Sequence, residues 1–236
     1  MKVFGNLTLI GTSHISQQSV QEVTQTIEVV HPEIVAVELD QTRFVALMEK
    51  KKRKVGLSSI LKIGVKGYLF ALIGSYIQKK LGKIVKMEPG SDMKVAIELA
   101  RARKLRIALV DQPIEITLRR FSQEFTWREK FRILVDIFRG IFFKKQELKR
   151  YGLLSFDLTK VPEKKLIKKL ILQLKKRYPN IYKVLVKERN EVLGINLANL
   201  IKREPESKIV AVVGAGHETE LMRLIKKNLK KMKDID

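Results

Sequence analysis

A chain of 236 residues with 45% hydrophobic content is long enough to bury roughly 70% of its unfolded surface without cross-links. The absence of cysteine excludes disulfides, thiol nucleophiles and thiolate metal sites, and it fits a reducing, cytoplasmic setting. A formal charge of +23 favours contact with an anionic membrane surface or nucleic acid and leaves the fold open.

The opening residues run straight into a strand and a glycine, which is not the pattern of a secretory signal. Residues 7–14 read LTLIGTSH, an apolar run expected as a buried strand, then Gly-x-x-His, then a polar helix start. Over 16–30, Val20, Val23, Ile27 and Val30 recur at helical spacing, and Pro32 ends that helix. Residues 34–37 form a second expected strand that ends at Glu38, and Asp40 suits the N-cap of a helix carrying Arg43, Phe44 and Leu47. Strand–helix alternation of this kind is the pattern of a parallel sheet with crossover helices.

The alternation breaks at 55–78, an apolar stretch with Gly56, Gly64, Gly67 and Gly74. Lys62 and Lys66 argue against a membrane span, which needs about 20 largely apolar residues. A helical insert lying on the core, on a partner subunit or at a membrane surface is expected instead, with 55–85 as the contact of a homodimer. Beyond it, Ser91 is placed as the N-cap of a helix through 103, and 105–110 as a third strand ending at Asp111. Pro113 opens the next helix, and 125–143 is a longer amphipathic helix with the only Trp, Trp127. A helix from Pro162 carries Lys164, Lys165, Lys168, Lys169, Lys175 and Lys176 beside Leu166, Leu170 and Leu174, so the lysines describe its wet face. After Pro179 comes a helix at 188–202. A fourth strand at 210–213 then leads into VAVVGAGH, a second apolar run with Gly-x-x-His, and a basic helix at 218–232.

The expected fold is therefore α/β, with a mainly parallel central sheet and crossover helices. No Pro/Gly-rich linker divides the chain, so 1–236 is expected as one domain. Within it, 55–187 is a mostly helical insertion between the two halves, and 208–236 is the closing strand and helix.

Two of the three histidines occupy the same place in the repeated unit. If the strands are parallel, His14, Glu38, Asp111 and His217 gather at the carboxyl edge of the sheet, where open α/β sheets bind ligands. Two His and a Glu suit zinc or another divalent ion and leave positions for water or substrate. Such an ion acidifies its water and polarises a carbonyl, which suits hydrolysis. Glu38 is a ligand or the general base, and Asp111 either touches the metal or orients a His. Arg43 holds a substrate carboxylate or an oxyanion, or else neutralises Glu38. Glu188 and Arg189 open a late helix, and His31 sits in a loop before Pro32. There is no P-loop, Gly-x-Gly-x-x-Gly, His-Glu-x-x-His or nucleophile elbow. With few aromatics among the lysines, specific nucleic-acid recognition is not expected.

Gly11-Thr12-Ser13-His14-Ile15-Ser16, Val37-Glu38-Leu39-Asp40 with Arg43, and Val213-Gly214-Ala215-Gly216-His217 together resemble the TraB/PrgY family. That family is related to the Tiki metalloproteases and to the erythromycin-esterase/ChaN-like proteins. The resemblance continues through Pro89-Gly90-Ser91-Asp92-Met93-Lys94, Asp111-Gln112-Pro113-Ile114 with Thr117 and Arg120, and Glu188-Arg189-Asn190. Gln112 stands where the family usually has Arg, and Asn190 where it usually has Asp. The resemblance implies an α/β fold in which the paired Gly-x-x-His motifs, the Glu and the Arg form one pocket. His14, His217 and Glu38 would hold a divalent ion (Zn, Mn or Co), and Arg43, Asp111, Glu188 and Arg189 would bind substrate or support the ligands. Tiki relatives are metal-dependent proteases and PrgY relatives are membrane proteins that reduce the activity of a peptide pheromone. The implied function is thus a metal-dependent, peptidase-like hydrolase, or a non-catalytic regulator that binds a peptide or protein at or near a membrane. Many prokaryotic members carry C-terminal membrane spans, whereas this sequence ends in a basic helix.

Overall fold

Leu7, Leu9, Ile10, Ile34, Val35, Val37, Ile209, Val210 and Val212 are almost wholly withdrawn from solvent, and they lie on three strands that pair side by side. The computed structural model describes residues 1–12, 17–49, 68, 90–142 and 164–234. Among these residues the strands are β1 (Lys2–Phe4), β2 (Leu7–Thr12), β3 (Ile34–Val37), β4 (Arg106–Leu109) and β5 (Ile209–Gly214). They form one sheet in the order β1-β2-β5-β3-β4. Strands β2, β5, β3 and β4 pair in parallel. β1 is antiparallel to β2, through a turn in which Gly5 takes φ +55°. The four expected strands are present, and β1 makes the sheet mixed. Continuous apolar runs in β3 and β5 follow from their position, since central parallel strands are covered on both faces.

One face is covered by α1 (Gln17–Val30) and, after α2 (Gln41–Met48), by α3 (Ser91–Ala102). Val23, Ile27, Met93 and Ile97 pack there on Ile10, Val35, Val37 and Val212. Next come α4 (Ile114–Glu124), α5 (Trp127–Phe142), α6 (Lys164–Arg177), the single turn α7 (Pro179–Tyr182), a π-helical segment (Lys183–Glu188) and α8 (Arg189–Arg203). α8 and α9 (Glu218–Lys233) cover the opposite face, where Leu193, Leu197, Leu221 and Ile225 meet Leu7, Leu9, Ala211 and Val213. Their approach is close at Gly194, where a Cβ would stand 2.9 Å from the Leu224 Cβ. A smaller cluster of Phe121, Ile181 and Val184, with Ile133, Leu174 and Tyr178 against it, ties α4 to α7 together.

Three local expectations change. Gly90, at φ +83°, is the N-cap of α3, and Ser91 is its first helical residue. The left-handed conformation favours glycine over serine at that cap. Pro113 immediately precedes α4 instead of opening it. The late helix starts near Pro179 and reaches Arg203 through the π segment, well before the expected start at 188. The 55–78 insert and the 55–85 dimer contact lie outside the described residues, apart from residue 68. No helix of the described residues is long and apolar enough to cross a membrane.

Candidate functional site

The parallel pairings bring the carboxyl ends of β2, β5, β3 and β4 to one edge. Gly11 lies opposite Val213 and Thr12 opposite Gly214, so the glycines that begin the two Gly-x-x-His motifs lie on neighbouring strands, staggered by one residue. The second motif comes close to β2 at Gly11, where a Cβ would lie 3.0 Å from Glu218 Oε2 and 3.2 Å from the Ala215 Cα. Close approach of the second turn favours glycine there. Below the turns, the Thr12 hydroxyl donates to the buried Asp92 carboxylate at 2.6 Å. His14 lies outside the described residues. His217 is the N-cap residue of α9 and is 9% exposed.

His217 is held from one side and faces a carboxylate on the other. Its Nδ1 is 2.6 Å from the Asn190 side-chain carbonyl oxygen. Because that oxygen only accepts, Nδ1 carries a proton, and in the neutral ring the lone pair is on Nε2. Nε2 lies 3.5 Å from Glu38 Oε1. The other Glu38 oxygen accepts from the Gly214 N–H at 2.7 Å, which pins the carboxylate across the end of β5.

From Glu38 a line of alternating charges runs along the edge. Arg189 reaches both Glu38 and Asp111 through one guanidinium nitrogen. Asp111 also accepts from Arg43 at 2.6 Å and from the Gln112 N–H at 2.8 Å. Arg43 closes the line on Asp40, whose other oxygen caps α2 through the Thr42 and Arg43 amides at 2.7 and 3.1 Å. Glu38, Asp40 and Asp111 are all buried, and burying a charge is costly unless it is paired and hydrogen-bonded. Burial alone would lower the Arg189 pKa. The charges of Glu38 and then Asp111, with their hydrogen bonds, outweigh it and hold Arg189 above its ordinary value.

Glu38, Asp111, Arg43, Arg189 and His217 therefore share one edge. Glu188 turns instead to Arg120 of α4, at 2.8 and 3.2 Å, and His31 lies at φ +48° in its loop. Asn190, Gly214 and Asp40 join the edge without having been singled out as site residues. Asn190 follows Arg189 directly, and the π segment ends one residue before Arg189. Such segments often occur at functional sites, but nothing in residues 183–188 announces one.

The sequence matches the model of the TraB/PrgY/gumN family over residues 4–231. The chain belongs to the TraB/PrgY/gumN family. It is 39% identical over 233 residues to an uncharacterized protein of Methanocaldococcus jannaschii, covering 98% of this chain and 56% of that protein. It is 25% identical to the TraB domain-containing proteins of Mus musculus and Homo sapiens, covering 89% of this chain and 60% of each. The chain thus spans between half and two thirds of the length of the curated relatives it matches.

Chemically, this TraB-family edge offers one imidazole lone pair, a fixed carboxylate and two guanidiniums. Among the described residues no group of three His, Cys, Asp or Glu is disposed to hold a metal ion. The spacing of His217 and Glu38 nevertheless suits two ligands of one ion. An orienting partner on Nδ1 is usual for a ligating His, and tetrahedral bonds of 2.0–2.1 Å separate two ligand atoms by about 3.3 Å, close to the 3.5 Å between Nε2 and Oε1.

Proposed function

We propose that this TraB-family domain is a metal-dependent hydrolase acting on peptides, with its site at the carboxyl edge of β2, β5 and β3. The observation that carries the reading is the oriented pair: the His217 Nε2 lone pair facing the pinned Glu38 carboxylate at 3.5 Å. Two electron-pair donors at that separation suit a shared cation. His217 and Glu38 would hold a zinc, manganese or cobalt ion together with His14, which follows Thr12 by two residues in sequence. Such an ion supplies an acidified water and polarisation of the scissile carbonyl.

Every other task falls to the chain. Asn190 keeps the imidazole in one tautomer, and Gly214 fixes the Glu38 carboxylate. Arg189 neutralises Glu38 and Asp111 together. Arg43 is the more exposed guanidinium, at 27% of its side chain against 16% for Arg189, so it is the one placed to take a substrate carboxylate. Incubation of the full chain with a peptide library and each divalent ion should give cleavage that fails in Glu38→Gln and His217→Ala. Equal cleavage by all three proteins would refute the reading.

One observation favours a second reading, a non-catalytic peptide binder. Each oxygen of Glu38 and Asp111 already accepts from an N–H or a guanidinium, as in a site built to hold rather than to exchange protons. A binder retains peptide without releasing product. Turnover at substoichiometric protein excludes it.

A further inference from the structure

Helix α5 is turned inside out. Its acidic residues face the protein: Glu129 is 1% exposed and accepts from the Asn180 N–H at 2.8 Å, at the start of α7. Asp136 binds the Arg177 guanidinium and the Tyr178 hydroxyl. With Ile133 against the small cluster of α4 and α7, these contacts fix the rotation of the helix. Trp127, Phe131, Leu134 and Phe138 consequently point outward, exposed by 82%, 68%, 64% and 56%. At 100° per residue they share about a sixth of the circumference. Arg128, Arg132 and Arg139 follow along one flank of that stripe, and Lys130 stands on the other with its Nζ 3.8 Å from the Trp127 ring.

We propose that this face of α5 inserts into the interfacial region of an anionic lipid bilayer. Aromatic and leucine side chains on one face, with arginine and lysine along its borders, are what a helix lying in the bilayer interface requires. Trp favours the headgroup level, and the long basic side chains reach back to lipid phosphates. Charge selects this occupant over a second copy of the chain. Each copy carries +23, which opposes self-association and attracts an anionic surface. The carboxylates of α5, Glu129 and Asp136, are engaged on its inner side, so they do not offset the arginines at the surface. This docking is independent of the chemistry proposed for the sheet edge.

Trp127 is the only tryptophan and so reports directly on the stripe. The full chain is titrated with phosphatidylcholine vesicles, with and without phosphatidylglycerol, while Trp127 emission and its quenching by brominated acyl chains are followed. A blue shift and quenching are expected with the anionic vesicles only, weakening as salt rises. Phe131→Glu and Leu134→Glu should each weaken partitioning by about tenfold or more with an unchanged circular dichroism spectrum. Binding without quenching would reduce the contact to surface charge and overturn insertion. A blue shift that appears without vesicles and grows with protein concentration would assign the face to a second copy, and no response at all would also end the proposal. The quenching arm uses the unmodified protein, so it stands even if a variant fails to fold.

Discussion

The carboxyl edge of the sheet and the outer face of α5 reverse the usual assignment of residues to inside and outside. At the edge, Glu38, Asp111 and Asp40 are buried and threaded together by Arg189 and Arg43. On α5, four large apolar side chains stand in water while the acidic residues are turned inward. The difference teaches where each arrangement draws its stability. Buried ions are tolerated because each is paired and amide-bound, so the edge is intolerant of any single deletion. The α5 stripe touches little of the protein's own core, so its side chains can be exchanged at small cost to the fold.

The largest effect should come from breaking the line of charges at its centre. Arg189→Met leaves Glu38 without its guanidinium and Asp111 with Arg43 alone, and urea denaturation should show a loss of about 3–5 kcal/mol. A loss below about 1 kcal/mol would mean that the edge is solvated and behaves as a surface network. Gly11→Ala comes next, because the added methyl meets Glu218 and Ala215 where the turn after β5 approaches the end of β2. It should cost about 1–3 kcal/mol, and a neutral result would show that Ala215 and Glu218 can move away from β2.

The inner side of α5 gives a smaller, pH-dependent effect. Burial, followed by the hydrogen bond to Asp136, pushes the Tyr178 hydroxyl up to about 12. A raised folded-state pKa contributes stability that is present below the unfolded value of about 10 and is lost as pH rises towards about 12. Ultraviolet titration should therefore show one late tyrosinate, absent from Tyr178→Phe. Smallest of all, Phe131→Glu should change stability by no more than about 0.5 kcal/mol. A drop of several times that size would mean that the stripe is covered within the fold.

The central sheet was legible because β2, β3 and β5 are short apolar runs ended by Gly or an acid, and such runs suit strands covered on both faces. β1 was not, since Lys2–Phe4 is only three residues long and its central residue is exposed; the pairing with β2 makes it a strand. Glu38, Asp111 and His217 could be placed at one edge from strand order alone. The reach of Arg189 could not, because it joins α8 to Glu38 and Asp111, residues that are distant from it in sequence. For α5 the apolar periodicity was plain, but periodicity says which residues share a face and not which way the face turns. That choice was made by Glu129, Asp136 and their partners on α6 and α7, residues that are distant in sequence.

In the proposed site, His217 and Glu38 share a divalent ion with His14. The purified chain, loaded with zinc, manganese or cobalt and dialysed, is analysed for bound metal beside His14→Ala, His217→Ala and Asn190→Ala. Stoichiometric metal in the wild type, lost from both histidine variants and weakened about 10–100-fold in Asn190→Ala, is the predicted result. A wild-type chain that retains no more metal than the histidine variants would contradict the account.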